Sequence, residues 1–133
     1  IAKKLVNMAK KAGVDCIKFQ THIVEEEMTK TNILPGKISK TSLWDIIKNC
    51  ELTSEEESKL SKYCKGKKIL FLSTPFSIPA VDRLEKIKMS AYKIGSGDIT
   101  FDELFIHIGK KQKPILLATG ASNVKEISHK FYD

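Results

Sequence analysis

Short apolar segments alternate with amphipathic helical patterns along the whole chain, and this alternation limits the possible folds more than any other feature. Four short apolar runs are typical of strands. They cover residues 16–20, 69–73, 90–94 and 115–118. Helical patterns separate these runs, and strands joined through helices pair in parallel by right-handed crossovers. The sequence therefore predicts an α/β fold with four parallel strands.

Cap residues mark where the helices begin. Apolar residues recur at helical spacing over residues 2–12, and a second short pattern covers residues 43–47. A Ser, Thr or Asn followed three residues later by Glu predicts a capping box. Such pairs predict helices that start near Ser54, Thr100 and Asn123, and Ser77 with Pro79 predicts another. Residues 21–41 are polar and irregular, so we interpret them as a functional loop.

The chain carries a net charge of +7, from 23 basic and 16 acidic residues. Such a charge raises the hypothesis of a nucleic-acid partner, but Arg83 is the only arginine. Arginine is the side chain that usually reads base edges in bidentate fashion, so the composition argues against nucleic-acid binding. No apolar run approaches the ~20 residues that a membrane span needs, which predicts that the protein does not enter a membrane.

The three cysteines, Cys16, Cys50 and Cys64, match neither a zinc motif nor a disulfide framework. Each lies in an apolar stretch, so we expect buried, reduced thiols. With no signal-peptide pattern, this predicts a cytoplasmic protein. The chain begins at Ile1 with a helix rather than with an initiator Met and a strand. We therefore expect an internal piece of a longer protein.

Polar and glycine residues cluster where the predicted strands end, which is where parallel α/β folds bind ligands. Lys18 and Lys93 lie inside apolar strands, a costly arrangement unless an anion pairs with each. Alternation of side chains would place both near one mouth together with Thr74, and the turns at Ser96–Gly97 and Thr119–Gly120 can aim backbone N–H groups at an anion. This predicts a site for a small, doubly anionic ligand such as a phosphorylated carboxylate. The alternative is that each lysine pairs with a structural carboxylate.

Two architectures fit four such units: a doubly wound sheet, or half of a (β/α)8 barrel, whose complete form needs roughly 250 residues. Four segments resemble, in order, the motifs of the sialic acid synthase family, which includes the N-acetylneuraminate, legionaminate, pseudaminate and spore-coat polysaccharide synthases. These segments are residues 12–21, 71–76, 91–100 and 113–120. The resemblance implies that residues 1–133 form strands two to five of a TIM barrel. It also implies that the first strand, the last three strands and a C-terminal antifreeze-like domain lie outside this chain.

The resemblance further implies a reaction, the condensation of phosphoenolpyruvate with an N-acetylmannosamine-type sugar to give a nonulosonic acid and phosphate. A divalent metal, Mn²⁺ or Mg²⁺, would polarise the aldehyde of the sugar. The implied catalytic residues are Lys18, which would bind the carboxylate of phosphoenolpyruvate, Lys93, which would bind its phosphate, and Asp98, near the reacting centre and the sugar. The implied substrate-binding residues are Gln20, Ser73, Thr74 and Ser96.

This chain departs from the family pattern at two positions: Asp98 stands where Glu is usual, and Ala118 stands where Ser is usual. The histidines that bind the metal in the family would lie on strands outside this chain. His22, His107 and His129 do not match those positions, so we predict no metal ligand here and expect surface positions for the last two. The full-length protein is expected to be a homodimer.

Two other functions stay open on the sequence alone. The first is a class I aldolase that uses Lys93 or Lys18 as the Schiff-base nucleophile. The second is a non-catalytic α/β module that binds a partner through an open sheet edge. Half a barrel should also be inactive by itself, and it should not behave as a stable monomer.

Overall fold

The computed structural model describes residues 1–132, in which helices alternate with short strands. The helices are α1 (Ala2–Lys11), α2 (Val24–Glu27), α3 (Leu43–Cys50), α4 (Ser54–Gly66), α5 (Ile78–Lys86), α6 (Asp102–Gly109) and α7 (Val124–Tyr132). The strands are β1 (Cys16–Thr21), β2 (Leu70–Pro75), β3 (Tyr92–Ile94) and β4 (Ile115–Leu117). The predicted order of elements is confirmed, and the loop of residues 21–41 gains only the single turn α2.

The strands form two parallel ladders. In the first, β1 pairs with β2, from Cys16 opposite Leu70 to Thr21 opposite Pro75. In the second, β3 pairs with β4, and Tyr92 lies opposite Ile115. Strand β3 also packs beside β2, so the four strands lie side by side in chain order. Parallel pairing confirms the prediction, and it places the carboxyl ends of all four strands on one side of the molecule.

The helices cover one face of the strands, and the core lies between them. Tyr92 and Ile94 of β3 are fully buried and pack against residues of α5 and α6, among them Leu84 and Leu104. A second cluster joins α1, α4 and the start of β2, and contains Val6, Leu60, Cys64 and Ile69. The opposite face is open, since Leu70 is 60% exposed and Leu116 is 47% exposed.

Two of the four predicted caps are correct and two are wrong. Ser77 caps α5 by accepting a hydrogen bond from the N–H of Ala80, and Asn123 and Glu126 bond each other reciprocally before α7. The capping box of α4 is Thr53 with Glu56, one residue before the predicted Ser54. No side chain caps α6, because its N-cap residue is Phe101 rather than Thr100, and a phenyl ring offers no hydrogen-bond acceptor.

The alternative frame for α4 also fits the sequence pattern, since Ser54 precedes a Glu by three residues just as Thr53 does. In the observed frame Glu56 is exposed and serves the cap, whereas Glu57 turns inward and is 1% exposed. With Thr53 as the cap of α4, the carboxyl group of Glu57 thus lies in the interior of the fold.

Only one of the three cysteines is buried as predicted. Cys64 lies in the core, but Cys16 and Cys50 are exposed. Cys16 is on the open face of β1, across from the helices, and Cys50 is the last residue of α3. Among the residues that the structure describes, no helix combines the length and the apolar character that a membrane crossing requires.

Candidate anion-binding site

Two lysines share the open face of the strands near their carboxyl ends. Tyr92 and Ile94 face the helices, so Lys93 between them faces the other way. Lys18 lies on the same open face of β1. Burial lowers the pKa of Lys93, and the positive charge of Lys18 lowers that pKa further. The two ammonium groups are therefore close enough to repel each other, as a shared anion site requires.

No carboxylate balances these charges among the described residues. The Nζ of Lys93 donates to the carbonyl oxygen of Ile94 at 2.8 Å. The ammonium group of Lys18 has neither a hydrogen bond nor an ion pair among the described residues. Neither lysine thus forms the alternative, a structural ion pair, with any residue that the structure describes. Two neighbouring cations without a counter-ion make a site that favours a ligand with two negative groups.

Hydroxyl and amide groups stand beside the lysines. In the ladder of β1 and β2, Gln20 lies directly opposite Thr74, and Lys18 lies opposite Leu72. Thr74 is 3% exposed, yet its hydroxyl has no hydrogen-bond partner among the described side chains and backbone groups. An almost buried hydroxyl without a partner can donate to a ligand that reaches it.

Ser73 is not brought together with these residues. It is fully buried on the helix-facing side of β2, where its hydroxyl lies 2.7 Å from that of Thr21. The physical reason is the alternation of side chains along a strand, which turns Ser73 and Thr74 to opposite faces. The substrate contact predicted for Ser73 is therefore not favoured by its position.

The turn after β3 carries Ser96 and Asp98, which form a short 3₁₀ helix. The carboxyl group of Asp98 folds back over Gly95: a Cβ atom placed on Gly95 would lie 2.7 Å from Asp98 Oδ2. Any larger residue at Gly95 would displace this carboxyl group. Asp98 is half-buried, and burial raises the pKa of its carboxyl group. The site thus has a carboxyl group that can hold a proton at higher pH than an ordinary aspartate.

His22 follows directly after the end of β1. His22 stacks on the ring of Phe76, with centroids 4.6 Å apart and planes 5° apart. Its Nδ1 lies 2.8 Å from Oε1 of Glu27 and 3.0 Å from Oε2. Phe76 also approaches the Gly95 turn, because its Cε1 would lie 4.0 Å from a Cβ on Gly95. The stacked pair thus lies between the end of β1 and the turn after β3. Its two residues directly follow β1 and β2, and this is the signal that could have predicted their contact.

His107 and His129, for which we expected surface positions, lie on helices away from the strand ends. Nε2 of His107 on α6 lies 2.8 Å from Oδ1 of Asp82 on α5, which also accepts from Lys111. His129 is exposed on α7. Within residues 1–132, no group of three or more His, Cys, Asp or Glu side chains could hold a metal ion.

A sequence model of the NeuB family matches residues 5–131. The chain belongs to the NeuB family. It is 39% identical over 127 residues to an uncharacterised protein of Methanocaldococcus jannaschii, covering 96% of this chain and 35% of that protein. It is 34% identical over 132 residues to the N,N'-diacetyllegionaminic acid synthase of Campylobacter jejuni, covering 96% of this chain and 40% of that protein. The resemblance to sialic acid synthases is thereby confirmed.

The fold is shared with a solved sialic acid synthetase. The N-acetylneuraminic acid synthetase of Leptospira borgpetersenii, solved in complex with citrate, superposes with a TM-score of 0.83 at 26% identity. The match covers 98% of this chain and 42% of that chain. The four parallel strands are accordingly part of a TIM barrel, as predicted. The chain spans about two-fifths of the length of the NeuB relatives that it matches.

Proposed function

We propose that this chain supplies the phosphoenolpyruvate-binding part of a nonulosonic acid synthase. The observation that carries the proposal is the pair Lys18 and Lys93, which lie close together on one face without a carboxylate partner. Phosphoenolpyruvate has the matching chemistry, since it carries a carboxylate and a phosphate on one small molecule. Lys18 would bind the carboxylate, and Lys93, Thr74 and Ser96 would bind the phosphate.

The reaction we propose joins phosphoenolpyruvate to an N-acetylmannosamine-type sugar. The methylene carbon of phosphoenolpyruvate forms a bond with the aldehyde carbon, and the aldehyde oxygen takes up a proton. Water adds at the carbon that bears the phosphate, and phosphate then leaves. Asp98 and Gln20 would face the sugar, and Asp98 is suited to proton transfer because burial raises the pKa of its carboxyl group.

The family resemblance also implies a divalent metal, Mn²⁺ or Mg²⁺, at the aldehyde. The described residues provide no group of three ligands for such an ion. We therefore derive no step through it and propose that its ligands lie outside this chain. That the full-length protein is cytoplasmic and dimeric also stays a prediction.

The relatives do not share one product, since the Campylobacter jejuni protein is named for diacetyllegionaminic acid and the Leptospira borgpetersenii protein for N-acetylneuraminic acid. The full-length gene product should therefore be assayed with phosphoenolpyruvate, Mn²⁺ and each of several 2-acetamido sugars. Released phosphate and the 2-keto acid, measured by the periodate–thiobarbiturate reaction, should appear in equal amounts. Lys93→Ala should lose this activity, whereas Lys62→Ala, at an exposed lysine on α4, should keep it.

A class I aldolase is the second candidate, and one observation favours it. The lowered pKa of Lys93 would leave more of its amine unprotonated and able to form a Schiff base. Borohydride in the presence of pyruvate would then trap a covalent adduct on Lys93, detectable by mass spectrometry. A trapped adduct, together with no phosphate release from phosphoenolpyruvate, would replace the synthase proposal by the aldolase.

A further inference from the structure

A buried carboxyl group lies behind the proposed site, on the helix-facing side of β1 and β2. Glu57 of α4 is 1% exposed, and the hydroxyl of Thr21 donates to its Oε1. The same hydroxyl lies 2.7 Å from that of Ser73. While Glu57 is ionised, Thr21 donates its single hydroxyl proton to Glu57 and Ser73 donates to Thr21; when Oε1 of Glu57 is protonated, both bonds reverse and the chain of hydrogen bonds persists. One chain of hydrogen bonds thus ties α4 to the ends of both strands.

Both strand residues in this chain of hydrogen bonds are neighbours of proposed substrate ligands. Thr21 follows Gln20, Ser73 precedes Thr74, and Gln20 and Thr74 lie opposite each other in the ladder. Alternation puts the hydrogen bonds on one face and the ligands on the other. A backbone shift at Thr21 or Ser73 must therefore move the neighbouring ligand as well.

We propose that Glu57 is a positioning residue, which fixes the ends of β1 and β2 and so holds Thr74 in place for phosphoenolpyruvate and Gln20 in place for the sugar. The inference rests on the proposed function. Glu57 touches Thr21 rather than any proposed substrate ligand, and it acts through the strands.

The surroundings of Glu57 favour its neutral form. Burial raises its pKa, which the hydrogen bond from Thr21 and the positive charge of Arg83 oppose. Arg83 is occupied elsewhere, since its Nη1 donates to the carbonyl oxygen of Leu52 at 2.9 Å. Oε2 of Glu57 has no hydrogen-bond partner among the described residues, and a charged oxygen buried in that way is costly. The fold should therefore tolerate a neutral amide of the same shape in place of the carboxyl group.

Two substitutions at Glu57 separate hydrogen bonding from charge. Glu57→Gln keeps the shape and the acceptor oxygen, so the KM for phosphoenolpyruvate in the full-length protein should stay close to that of the unmodified protein. Glu57→Ala removes the acceptor and should raise this KM roughly tenfold, with a smaller change in kcat, as expected for a lost ligand contact. Thr21→Val should raise KM to a similar extent, and the double variant should add little, because both changes break the same chain of hydrogen bonds.

Leu60→Ala is the matched control for general destabilisation. Leu60 is 3% exposed on the same helix, one turn beyond Glu57, and it belongs to the core cluster of Val6, Cys64 and Ile69. This variant should melt at a lower temperature with an unchanged KM. In the absence of substrate, amide hydrogen exchange at residues 20–21 and 73–74 should be faster in Glu57→Ala than in Leu60→Ala.

The exchange measurement keeps this inference separate from the proposed function. If the unmodified protein forms no product, the function fails, and the exchange rates still test whether Glu57 holds the strand ends. The inference is overturned if Glu57→Ala leaves exchange and KM unchanged, or if Leu60→Ala alters both equally. It is also overturned if Glu57→Gln is as impaired as Glu57→Ala.

Discussion

Replacing Lys93 by alanine should remove most of the thermal stabilisation that phosphoenolpyruvate gives to the full-length protein. Lys93 is half-buried, its Nζ donates to the carbonyl oxygen of Ile94 at 2.8 Å, and Lys18 lies nearby. Loss of a charge-assisted contact of this kind costs about 1.5–3 kcal/mol, roughly ten- to a hundredfold in affinity. The ligand should therefore bind the variant far more weakly, while the fold of the free protein is kept.

The expected size of the effect follows from ligand linkage. At a ligand concentration of about 100 times Kd, binding stabilises a protein by ~2.7 kcal/mol, and a tenfold to hundredfold weaker Kd reduces this to ~1.4 or ~0.4 kcal/mol. Differential scanning fluorimetry with and without phosphoenolpyruvate measures the shift in Tm directly. Lys62→Ala should keep the full shift. An undiminished shift in Lys93→Ala would refute the role given to Lys93.

Three further predictions concern the neighbouring residues and the chain itself. Ala118→Ser restores the hydroxyl that is usual in the family at the end of β4. It should make the binding free energy of phosphoenolpyruvate more favourable by ~1 kcal/mol, the contribution of one net hydrogen bond. Weaker binding in calorimetry would mean that the pocket has a different shape. Burial raises the pKa of Asp98, so its contribution to stability is present below the unfolded pKa and is lost as pH rises through the folded pKa. Asp98→Asn should therefore raise Tm at neutral pH and leave it unchanged near pH ~3, where the carboxyl group is protonated in both states, and equal effects at both pH values would contradict this. A polypeptide of residues 1–133 alone should associate or aggregate, since Leu70 and Leu116 are exposed on the open face of the strands. A monomer in sedimentation that also melts sharply in calorimetry would contradict this prediction.

The alternation of patterns was sufficient to predict the parallel strands and the common face of Lys18 and Lys93. Lys18 and Lys93 stand out because a lysine inside an apolar strand is costly, and the period of two along a strand predicts which neighbours share their face. These inferences use spacing over a few residues, which the sequence displays directly. The structure places both lysines on one face accordingly.

The features that were missed depend on contacts between distant segments. Thr53 and Ser54 fit the capping pattern equally well, and only the packing of α4 against β2, with the hydrogen bond from Thr21 of β1, selects the frame that buries Glu57. The exposure of Cys16 follows from which face of β1 the helices cover. The stacking of His22 on Phe76 joins residues that are far apart in the sequence. No local pattern contains such information.

The most direct test of the account is a crystal structure of the full-length protein with phosphoenolpyruvate bound. The account predicts the phosphate within hydrogen-bond distance of Lys93 Nζ and the Thr74 hydroxyl, about 2.7–3.2 Å, with the carboxylate beside Lys18. A ligand bound elsewhere, or seated with neither lysine in contact, would contradict the central claim that these two strand lysines form the anion site.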